Sequence, residues 1–193
     1  MQSVCVFAGS SSGARAEYAI GAARLGAAIA ARGWTLVYGG GNVGLMRAVA
    51  DAALAVGGRV VGVIPRGLMV KELAHEHLSE LHVVASMHER KALMAALAGG
   101  MVALPGGFGT LEEWFEVLTW SQLGLHLKPC GLLNVAGYYD PLLQLLDHMV
   151  SEQFVKGAHR DMIIASSSCE ELLDAMRNFQ PPAVPKWIDR AST

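Results

Sequence analysis

The chain has 193 residues, of which 52% are hydrophobic and 17% are charged, proportions typical of a globular domain rather than a disordered segment. The formal net charge is −2, and no block of basic residues is present, which argues against nucleic-acid binding through a broad basic face. The three cysteines, Cys5, Cys130 and Cys169, are far apart and form no Cys-x-x-Cys motif. The sequence therefore indicates neither a disulfide framework nor a zinc site.

The sequence also lacks the pattern of a signal peptide or of a membrane-spanning helix. The chain starts directly with the apolar segment 4–8, without a basic region before it. The alanine-rich segment 19–31 is interrupted by Arg24 and is too short to cross a bilayer. We therefore expect a cytoplasmic protein that binds neither a membrane nor a nucleic acid.

Short apolar segments alternate with segments of helical spacing along most of the chain. The predicted strands are 3–8, 35–38, 59–64, 81–85, 101–104, 130–135 and 162–165, and the predicted helices are about 14–32, 44–57, 87–99, 111–123, 139–152 and 169–179. Continuous hydrophobic strands that are followed by helices are typical of a parallel sheet covered on both faces. The sequence therefore predicts a Rossmann-like, doubly wound α/β fold of about seven strands, with one domain over residues 1–180 and an irregular tail over 181–193.

Three of the predicted strands end in loops rich in glycine or serine. Residues 9–13 follow the first strand, residues 39–44 follow the second, and residues 105–110 follow the fifth. Doubly wound folds bind ligands at the carboxyl ends of strands, near a switch in strand order, so we expect these loops to share one edge of the sheet. Backbone N–H groups of a glycine loop at a helix N-terminus favour phosphate. The three loops together predict a nucleotide-phosphate site.

The third loop also permits a purely structural interpretation. Residues 105–113 read Pro-Gly-Gly-Phe-Gly-Thr-Leu-Glu-Glu. Thr110 and Glu113 fit a capping box, in which Thr110 is the N-cap and Glu113 reaches back to its N–H from the first helical turn. In that case Glu113 needs no ligand. In the other interpretation, Glu113 lies in the same first turn beside whatever is bound there. This segment alone leaves both possibilities open.

The second loop satisfies G-x-G-x-x-G through Gly39, Gly41 and Gly44. A dinucleotide-binding fold places that motif after its first strand and adds an acidic residue about 20 positions later, which holds the ribose. Here the motif follows the second strand, and the next strand ends in Pro65 and Arg66 without an acidic residue. An NAD-linked oxidoreductase is therefore disfavoured.

Four histidines occur close together, but their spacing does not favour a metal site. Residues 75–77 read His-Glu-His, which differs from the His-Glu-x-x-His pattern of a helical zinc site. We interpret the group as loop surface, with metal binding a minor alternative: His75, His77, His82 and His88.

Arg90 and Lys91 are the only adjacent basic pair, and they lie near the start of a predicted helix. Cations at that end oppose the helix dipole unless an anion compensates them. One interpretation is a solvated pair, or a weak surface ion pair with Glu89. The other is that Arg90 points into the crevice at the strand ends and helps to hold an anionic ligand.

The basic pair and the third glycine loop together closely resemble the LOG (lonely guy) family. The family signature is an Arg-Lys pair followed by Pro-Gly-Gly-x-Gly-Thr-x-x-Glu, which residues 87–91 and 105–113 match. Segments 5–13 and 38–46 are also similar, and the resemblance extends to about residue 180. It implies a cytokinin riboside 5′-monophosphate phosphoribohydrolase. Such an enzyme cleaves the N-glycosidic bond of an adenine-type nucleoside monophosphate, AMP included, and releases the free base and ribose 5-phosphate.

The resemblance also implies roles for particular residues. The catalytic residues of the family fall on Arg90 and Glu113. The residues expected to bind the substrate are Gly9, Ser10, Gly40, Gly41, Met87, Lys91, Gly106, Gly107, Gly109 and Thr110. We expect no cofactor and no metal, and a homodimer whose active site lies near the subunit contact. The alternative is a non-catalytic nucleotide or molybdenum-cofactor carrier of similar fold, against which the presence of Arg90 and Glu113 argues.

Two positions depart from the family pattern. The second loop usually continues Gly-Leu-Met-Gly, whereas this chain has Arg47 at the last position. The segment before the basic pair is often Asp-Met-His, whereas this chain has Ser86 in place of the aspartate. Both changes bear on pocket shape and substrate preference more than on the reaction.

Overall fold

The computed structural model describes residues 1–69 and 74–182. In this part of the chain the strands are β1 Ser3–Phe7, β2 Thr35–Tyr38, β3 Val60–Pro65, β4 Glu80–Val84, β5 Met101–Ala103, β6 Cys130–Leu133 and β7 Ile163–Ser166. The α-helices are α1 Ala16–Ala31, α2 Gly44–Ala55, α3 Met87–Leu97, α4 Phe108–Gln122, α5 Asp140–Ser151, α6 Gly157–Arg160 and α7 Cys169–Arg177. Short 3₁₀ turns follow β3 and β6, at Arg66–Leu68 and Val135–Gly137.

The strands form one parallel sheet in the order β4-β3-β2-β1-β5-β6-β7, which confirms the predicted fold. The order runs outwards in both directions from the contact between β1 and β5. That contact is the switch point, and doubly wound folds bind their ligands in the crevice beyond it. The first and third predicted loops follow these two strands directly.

Helices cover both faces of the sheet. Along β1, Val4 and Val6 face a core shared with α1, α2 and α7, whereas Cys5 and Phe7 face a core shared with α3, α4 and α5. Successive side chains of a strand point to opposite faces, so a strand buried on both sides is hydrophobic at every position. Trp114 of α4 lies fully buried in the second core. The two helices that carry Arg90 and Glu113, α3 and α4, therefore lie on the same face.

The predicted boundaries differ from the observed ones most at α4. This helix begins at Phe108, three residues earlier than its predicted start, because the end of the glycine loop already has helical backbone. Glycine is a poor helix former, so the sequence of this turn resembles a loop. The four-residue helix α6 was not predicted, since one turn is too short to show a periodic pattern.

The tail and the membrane expectation can be treated only for the described residues. Most of the predicted irregular tail, from residue 183 onward, lies outside them, and the division of the chain into a domain and a tail stays a prediction. No helix in ranges 1–69 and 74–182 is both long and apolar enough to cross a membrane. The three cysteines are buried and unpaired.

Candidate active site

The three glycine loops meet at one edge of the sheet, as the sequence predicts. The N–H of Gly9, after β1, donates to the carbonyl of Pro105, after β5, at 3.2 Å. The carbonyl of Gly9 accepts a hydrogen bond from the N–H of Leu45, in the first turn of α2, at 3.0 Å. Gly9 thus connects the third loop to the first turn of α2, the helix that follows the second loop, at the switch point.

Gly106 allows the β5 loop to approach its neighbours closely. A Cβ atom at this position would lie 2.1 Å from Oγ1 of Thr110 and 2.9 Å from the backbone nitrogen of Gly9. Side chains do not tolerate such distances, so only glycine fits here. The loops after β1 and β5 therefore pack backbone against backbone.

The N-terminus of α4 lies at the centre of this arrangement. Gly107 is its N-cap, and no side-chain hydrogen bond from the described residues caps it. The first hydrogen bond into the helix runs from the N–H of Leu111 to the carbonyl of Gly107, at 3.2 Å. The N–H groups of Phe108, Gly109 and Thr110 come before that bond and have no intrahelical partner. Together with the positive end of the helix dipole, they suit an anion.

This geometry excludes the capping-box interpretation of Thr110 and Glu113. Thr110 is the third residue of α4 rather than its N-cap, and it is buried. Glu113 is the sixth residue and lies in the second turn, so the prediction that it sits in the first turn is wrong. A capping box joins the N-cap to the third residue after it, and Glu113 is six residues beyond Gly107. Glu113 therefore has a different role.

A cavity of about 410 Å³ lies beside the helix terminus. The predicted site residues that line it are Gly9, Ser10, Met87, Arg90, Gly107, Gly109, Thr110 and Glu113. Its other lining residues, which sequence reasoning missed, are Ala8, Met46, Leu68 and Phe108. Phe108 is 95% exposed. It lies within the recognised motif, so the sequence did contain a signal that it belongs to the site. Leu68 comes from the 3₁₀ turn after β3, and no local pattern connects it to the other loops.

Arg90 reaches the cavity because of the way in which α3 begins. Ser86 is the N-cap, and its Oγ accepts a hydrogen bond from the N–H of Glu89 at 3.1 Å. The Glu89 carboxylate in turn accepts one from the N–H of Ala85 at 2.8 Å. This closed first turn directs Arg90 toward the sheet, where only 5% of the residue is exposed. The solvated-pair interpretation is therefore wrong for Arg90.

The guanidinium of Arg90 lies across the end of β2. Its Nη2 donates to the carbonyl of Gly39 at 3.1 Å. A Cβ atom at Gly39 would lie 1.9 Å from the same nitrogen, so a glycine here makes room for the guanidinium. The arginine is thus held by the second loop while it lines the cavity next to the third.

The charges of Arg90 and Glu113 both reach Cys5, which lies beneath the site in β1. Burial, and then the negative charge of Glu113, hold the pKa of the Cys5 thiol well above its ordinary value, while Arg90 acts in the opposite direction. The thiol is therefore neutral near pH 7. A neutral buried thiol is not a nucleophile, so Cys5 is a packing residue.

Lys91, expected to bind the substrate, is held elsewhere. Its Nζ lies 2.5 Å from Glu112 and 3.0 Å from Glu116, both on α4, and it is not among the described residues that line the cavity. Neighbouring residues of a helix point about 100° apart, so Arg90 and Lys91 diverge. Burial favours the neutral amine, but the two carboxylates outweigh it and raise the pKa of Lys91. Lys91 joins α3 to α4, the helices that carry Arg90 and Glu113.

Two glycines of the second loop that were expected to bind the substrate are not among the described residues that line the cavity. The carbonyl of Gly40 accepts a hydrogen bond from the N–H of His75 at 3.1 Å, and Gly41 forms an antiparallel bridge with Ala74. Both glycines therefore contact the segment that precedes β4. Met46, from the helix after the second loop, lines the cavity instead, and Gly39 is connected to the cavity through Arg90.

His75 is buried, so the prediction that it belongs to the loop surface is wrong. Its Nε2 lies 2.8 Å from Oδ1 of Asp51 on α2, and its Nδ1 accepts a hydrogen bond from the N–H of His77. Burial alone would raise the pKa of Asp51, but hydrogen bonds from His75 and Arg47 lower it below its usual value. His75 thus holds the residues before β4 against α2. In the described parts of the chain, no three His, Cys, Asp or Glu side chains are grouped as a metal site.

The two departures from the family pattern lie outside the cavity lining. Arg47 is exposed and pairs with Asp51 at 3.1 Å, one helical turn away. Ser86 caps α3, a role that aspartate performs equally well. Neither is among the described residues that line the cavity. The departures therefore change a surface position and a helix cap.

Comparison with known proteins shows the family to which the chain belongs. A family model described as "possible lysine decarboxylase" matches residues 46–176. The probable cytokinin riboside 5′-monophosphate phosphoribohydrolase LOGL5 of Oryza sativa subsp. japonica is 51% identical over 179 residues, which cover 93% of this chain and 73% of the relative. The cytokinin riboside 5′-monophosphate phosphoribohydrolase LOG1 of Arabidopsis thaliana is 46% identical over 178 residues, covering 92% and 84%. The chain belongs to the LOG family.

The LOG-family fold is shared more widely than its sequence. A molybdenum cofactor binding protein from Rippkaea orientalis matches with a TM-score of 0.67 at 21% identity, over 91% of this chain and 95% of that chain. At this identity the likeness concerns the fold alone. In this chain, two residues of the family signature, Arg90 and Glu113, line one cavity at the N-terminus of α4.

Proposed function

We propose that this LOG-family chain is a phosphoribohydrolase acting on adenine-type nucleoside 5′-monophosphates, namely cytokinin riboside monophosphates and AMP. The observation that carries the proposal is one cavity of about 410 Å³ at the switch point, which combines Arg90, Glu113 and the N-terminus of α4. The names of relatives that are 46–51% identical support it. The products are the free base and ribose 5-phosphate.

In this proposal, the 5′-phosphate binds at the start of α4. The N–H groups of Phe108, Gly109 and Thr110 precede the first intrahelical hydrogen bond and favour an anion. Binding of the phosphate, which does not itself react, supplies free energy that orients the sugar. The anomeric carbon is then held near Glu113, one helical turn farther along α4.

Glu113 is the carboxylate that assists bond cleavage. The bond between the anomeric carbon and the base nitrogen breaks, its electron pair leaves with the base, and that nitrogen takes up a proton from solvent. The sugar passes through an oxocarbenium-like state, which a nearby carboxylate stabilises. Glu113 accepts a proton from water as the water oxygen bonds to the anomeric carbon. Water thus supplies the hydroxyl group of ribose 5-phosphate.

Arg90 has a binding role, because a guanidinium does not give up its proton. It is buried and held by the carbonyl of Gly39, so its position is set before any ligand arrives. From that position it can hold the anionic substrate or orient the Glu113 carboxylate. Either role lowers the cost of organising the site during the reaction.

The family model is described as a possible lysine decarboxylase. Lys91, the neighbour of Arg90, does not support that activity. A lysine that forms a Schiff base must lose its proton readily, which requires a lowered pKa. Glu112 and Glu116 instead raise the pKa of Lys91. Ionic pairing keeps this amine charged and attached to α4.

Product analysis tests the proposed reaction. The purified chain is incubated separately with AMP, with a cytokinin riboside monophosphate and with adenosine, and the free base is quantified by chromatography. We expect base release from both monophosphates and none from adenosine, because adenosine cannot use the phosphate site. Equal turnover of AMP and adenosine would contradict the phosphate site. Tight AMP binding without any product would favour the carrier alternative.

We also propose that the chain forms a homodimer in the cytoplasm. Apolar side chains are exposed on β4 and α3, at Val83, Met87 and Leu97, and Phe108 is exposed at the cavity. Exposed apolar side chains favour a protein contact where they form one patch, and in this proposal the partner subunit covers these four. Unpaired cysteines support a reducing compartment. Light scattering at micromolar concentration tests the dimer, and a stable monomer would contradict it.

A further inference from the structure

The segment between β6 and α5 contacts the start of the glycine loop through two adjacent tyrosines. The hydroxyl of Tyr138 donates to the carbonyl of Gly106 at 2.6 Å. The hydroxyl of Tyr139 donates to the carbonyl of Leu104, also at 2.6 Å. The two acceptors lie on either side of Pro105. Two hydrogen bonds from another part of the chain thus hold the point where β5 becomes the loop.

A sharp turn presents the two tyrosines. Ala136 has a φ of 53°, in the left-handed region that is unfavourable for a residue with a Cβ. The side chain of Asn134 then accepts a hydrogen bond from the N–H of Tyr139 at 2.7 Å and donates one to Asp140 at 2.7 Å. Hydrogen bonds across the turn therefore hold a strained backbone in a conformation from which the two hydroxyls reach Gly106 and Leu104.

The environments of the two tyrosines differ. Tyr139 is fully buried, and burial raises the pKa of its hydroxyl above the usual range, which is typical of a structural hydrogen bond. Tyr138 is 38% exposed and meets the ring of Tyr18 edge-on, with centroids 5.6 Å apart. Both Tyr18 and Tyr138 line a second cavity of about 300 Å³. That cavity adjoins the candidate active site, since both include Gly9, Ser10 and Gly107.

We propose that Tyr138 is a positioning residue for the N–H of Gly107, which precedes those of Phe108, Gly109 and Thr110 and joins them as a phosphate donor, an inference that rests on the proposed function. The carbonyl of Gly106 and the N–H of Gly107 belong to one planar, trans peptide group. Fixing the direction of that carbonyl therefore fixes the direction of the Gly107 N–H, at the N-cap of α4. Donation to the carbonyl also polarises the peptide and makes its N–H a stronger donor. Tyr138 thus sets both the orientation and the strength of a donor at the phosphate site.

Three hydroxyl deletions in the full chain test this role. Tyr138→Phe removes the hydrogen bond to Gly106 and keeps the ring. Tyr18→Phe is the matched control, because that ring lines the same cavity and, within the described residues, its hydroxyl makes no hydrogen bond to the third loop. Tyr139→Phe removes the buried hydrogen bond to Leu104. For each variant, calorimetry gives the affinity for inorganic phosphate and for ribose 5-phosphate, thermal unfolding gives Tm, and steady-state kinetics with AMP gives kcat and KM.

We expect Tyr138→Phe to weaken the binding of both phosphate compounds by about tenfold, a factor consistent with one hydrogen bond to a charged ligand. Its KM for AMP should rise by a similar factor while kcat changes by less than about threefold, since binding is lost equally from the ground and transition states. Its Tm should stay within a few degrees of the original. Tyr18→Phe should match the unaltered chain, and Tyr139→Phe should lower Tm.

The outcomes separate this inference from the proposed reaction. Unchanged phosphate affinity in Tyr138→Phe would overturn the positioning role. So would a fall in Tm as large as that of Tyr139→Phe, because the residue would then be structural. An unaltered chain that binds ribose 5-phosphate but cleaves no AMP would contradict the proposed reaction, while the same titrations still decide the role of Tyr138. An unaltered chain that binds neither phosphate compound would overturn both.

Discussion

Helices α4 and α7 both follow a strand of the same parallel sheet, but their N-termini are built differently. At α7, the Oγ of Ser168 accepts a hydrogen bond from the N–H of Glu171 at 3.3 Å. At α4, the corresponding position is Gly107, and no side-chain hydrogen bond from the described residues caps the helix. The serine thus caps the N-terminus of α7. The N-terminus of α4 instead keeps its N–H donors beside the cavity that Arg90 and Glu113 line.

The difference shows that the chain lacks a stabilising N-cap at the helix where the phosphate is proposed to bind. A serine N-cap contributes about 1 kcal/mol over alanine by satisfying an otherwise unpaired N–H group. Glycine provides no side-chain acceptor, so the N–H groups at the start of α4 depend on solvent or on a ligand. The three predictions that follow alter one terminus or its surroundings, in order of decreasing expected effect.

The largest effect is expected for the charge at Glu113. Glu113→Gln keeps the size of the side chain but removes the carboxylate that stabilises an oxocarbenium and accepts a proton. We expect kcat for AMP to fall by at least about a hundredfold, with AMP binding retained and Tm within a few degrees. Steady-state kinetics, calorimetry and thermal unfolding measure these quantities.

Glu112→Gln is the matched control, because Glu112 is the neighbouring residue and points to Lys91 rather than to the cavity. Lys91 keeps its second partner, Glu116, in this variant. We expect only a small change in kcat. Near-normal turnover in Glu113→Gln, or an equal loss in both variants, would show that the catalytic carboxylate has been assigned to the wrong residue.

A smaller effect is expected when α4 is given the cap that it lacks. Gly107→Asp places a carboxylate where the phosphate is proposed to bind, and a Cβ at this position meets no atom within 4 Å. The variant should have a higher Tm, since aspartate is a good N-cap and suits the helix dipole. Its KM for AMP should rise by at least about tenfold, because the new charge repels phosphate and occupies its donors.

Gly107→Ala isolates the effect of that charge. It adds the same Cβ without a carboxylate, so its KM should stay close to that of the unaltered chain. If Gly107→Asp were as active as Gly107→Ala, the N-terminus of α4 would not be the phosphate site. Titration of both variants with ribose 5-phosphate provides the same comparison without catalysis.

The smallest effect on activity is expected at the closed terminus. Ser168→Ala removes the acceptor of the bond from Glu171. The free energy of unfolding should fall by about 1 kcal/mol, with kcat and KM for AMP unchanged. Denaturant unfolding and steady-state kinetics provide the two readings. A loss of activity without a loss of stability would show that α7 takes part in the site.

The fold was largely predictable because its signals are local. Apolar strands alternating with helical segments indicated a parallel sheet with two covered faces, and the observed sheet has that form. The starts of helices were harder. The start of α7 at residue 169 was predicted correctly, and Ser168 is its N-cap, whereas Thr110 only resembled the N-cap of α4. The first turn of α4 was not predicted, because glycine is a poor helix former and the glycines before Thr110 resemble a loop.

The candidate site was predictable to the extent that its residues belong to recognisable motifs. Arg90 and Glu113 were assigned through the resemblance, and the structure places both at one cavity. Lys91 belongs to the same motif but points to α4, and Gly40 belongs to the second loop but contacts His75. Membership of a motif says which residues lie near a site. It does not say which way each side chain or carbonyl points.

The sequence by itself determined the strands, the helices and the three loops, because hydrophobic periodicity and glycine content depend on neighbours along the chain. Only the tertiary structure decided what meets at the site. The strand order places β1 beside β5, and this brings Gly9 against Gly106, although the two residues are 97 positions apart in the chain. The turn after β6 then carries Tyr138 to the same loop. Such contacts arise from packing between distant segments, which no local pattern encodes.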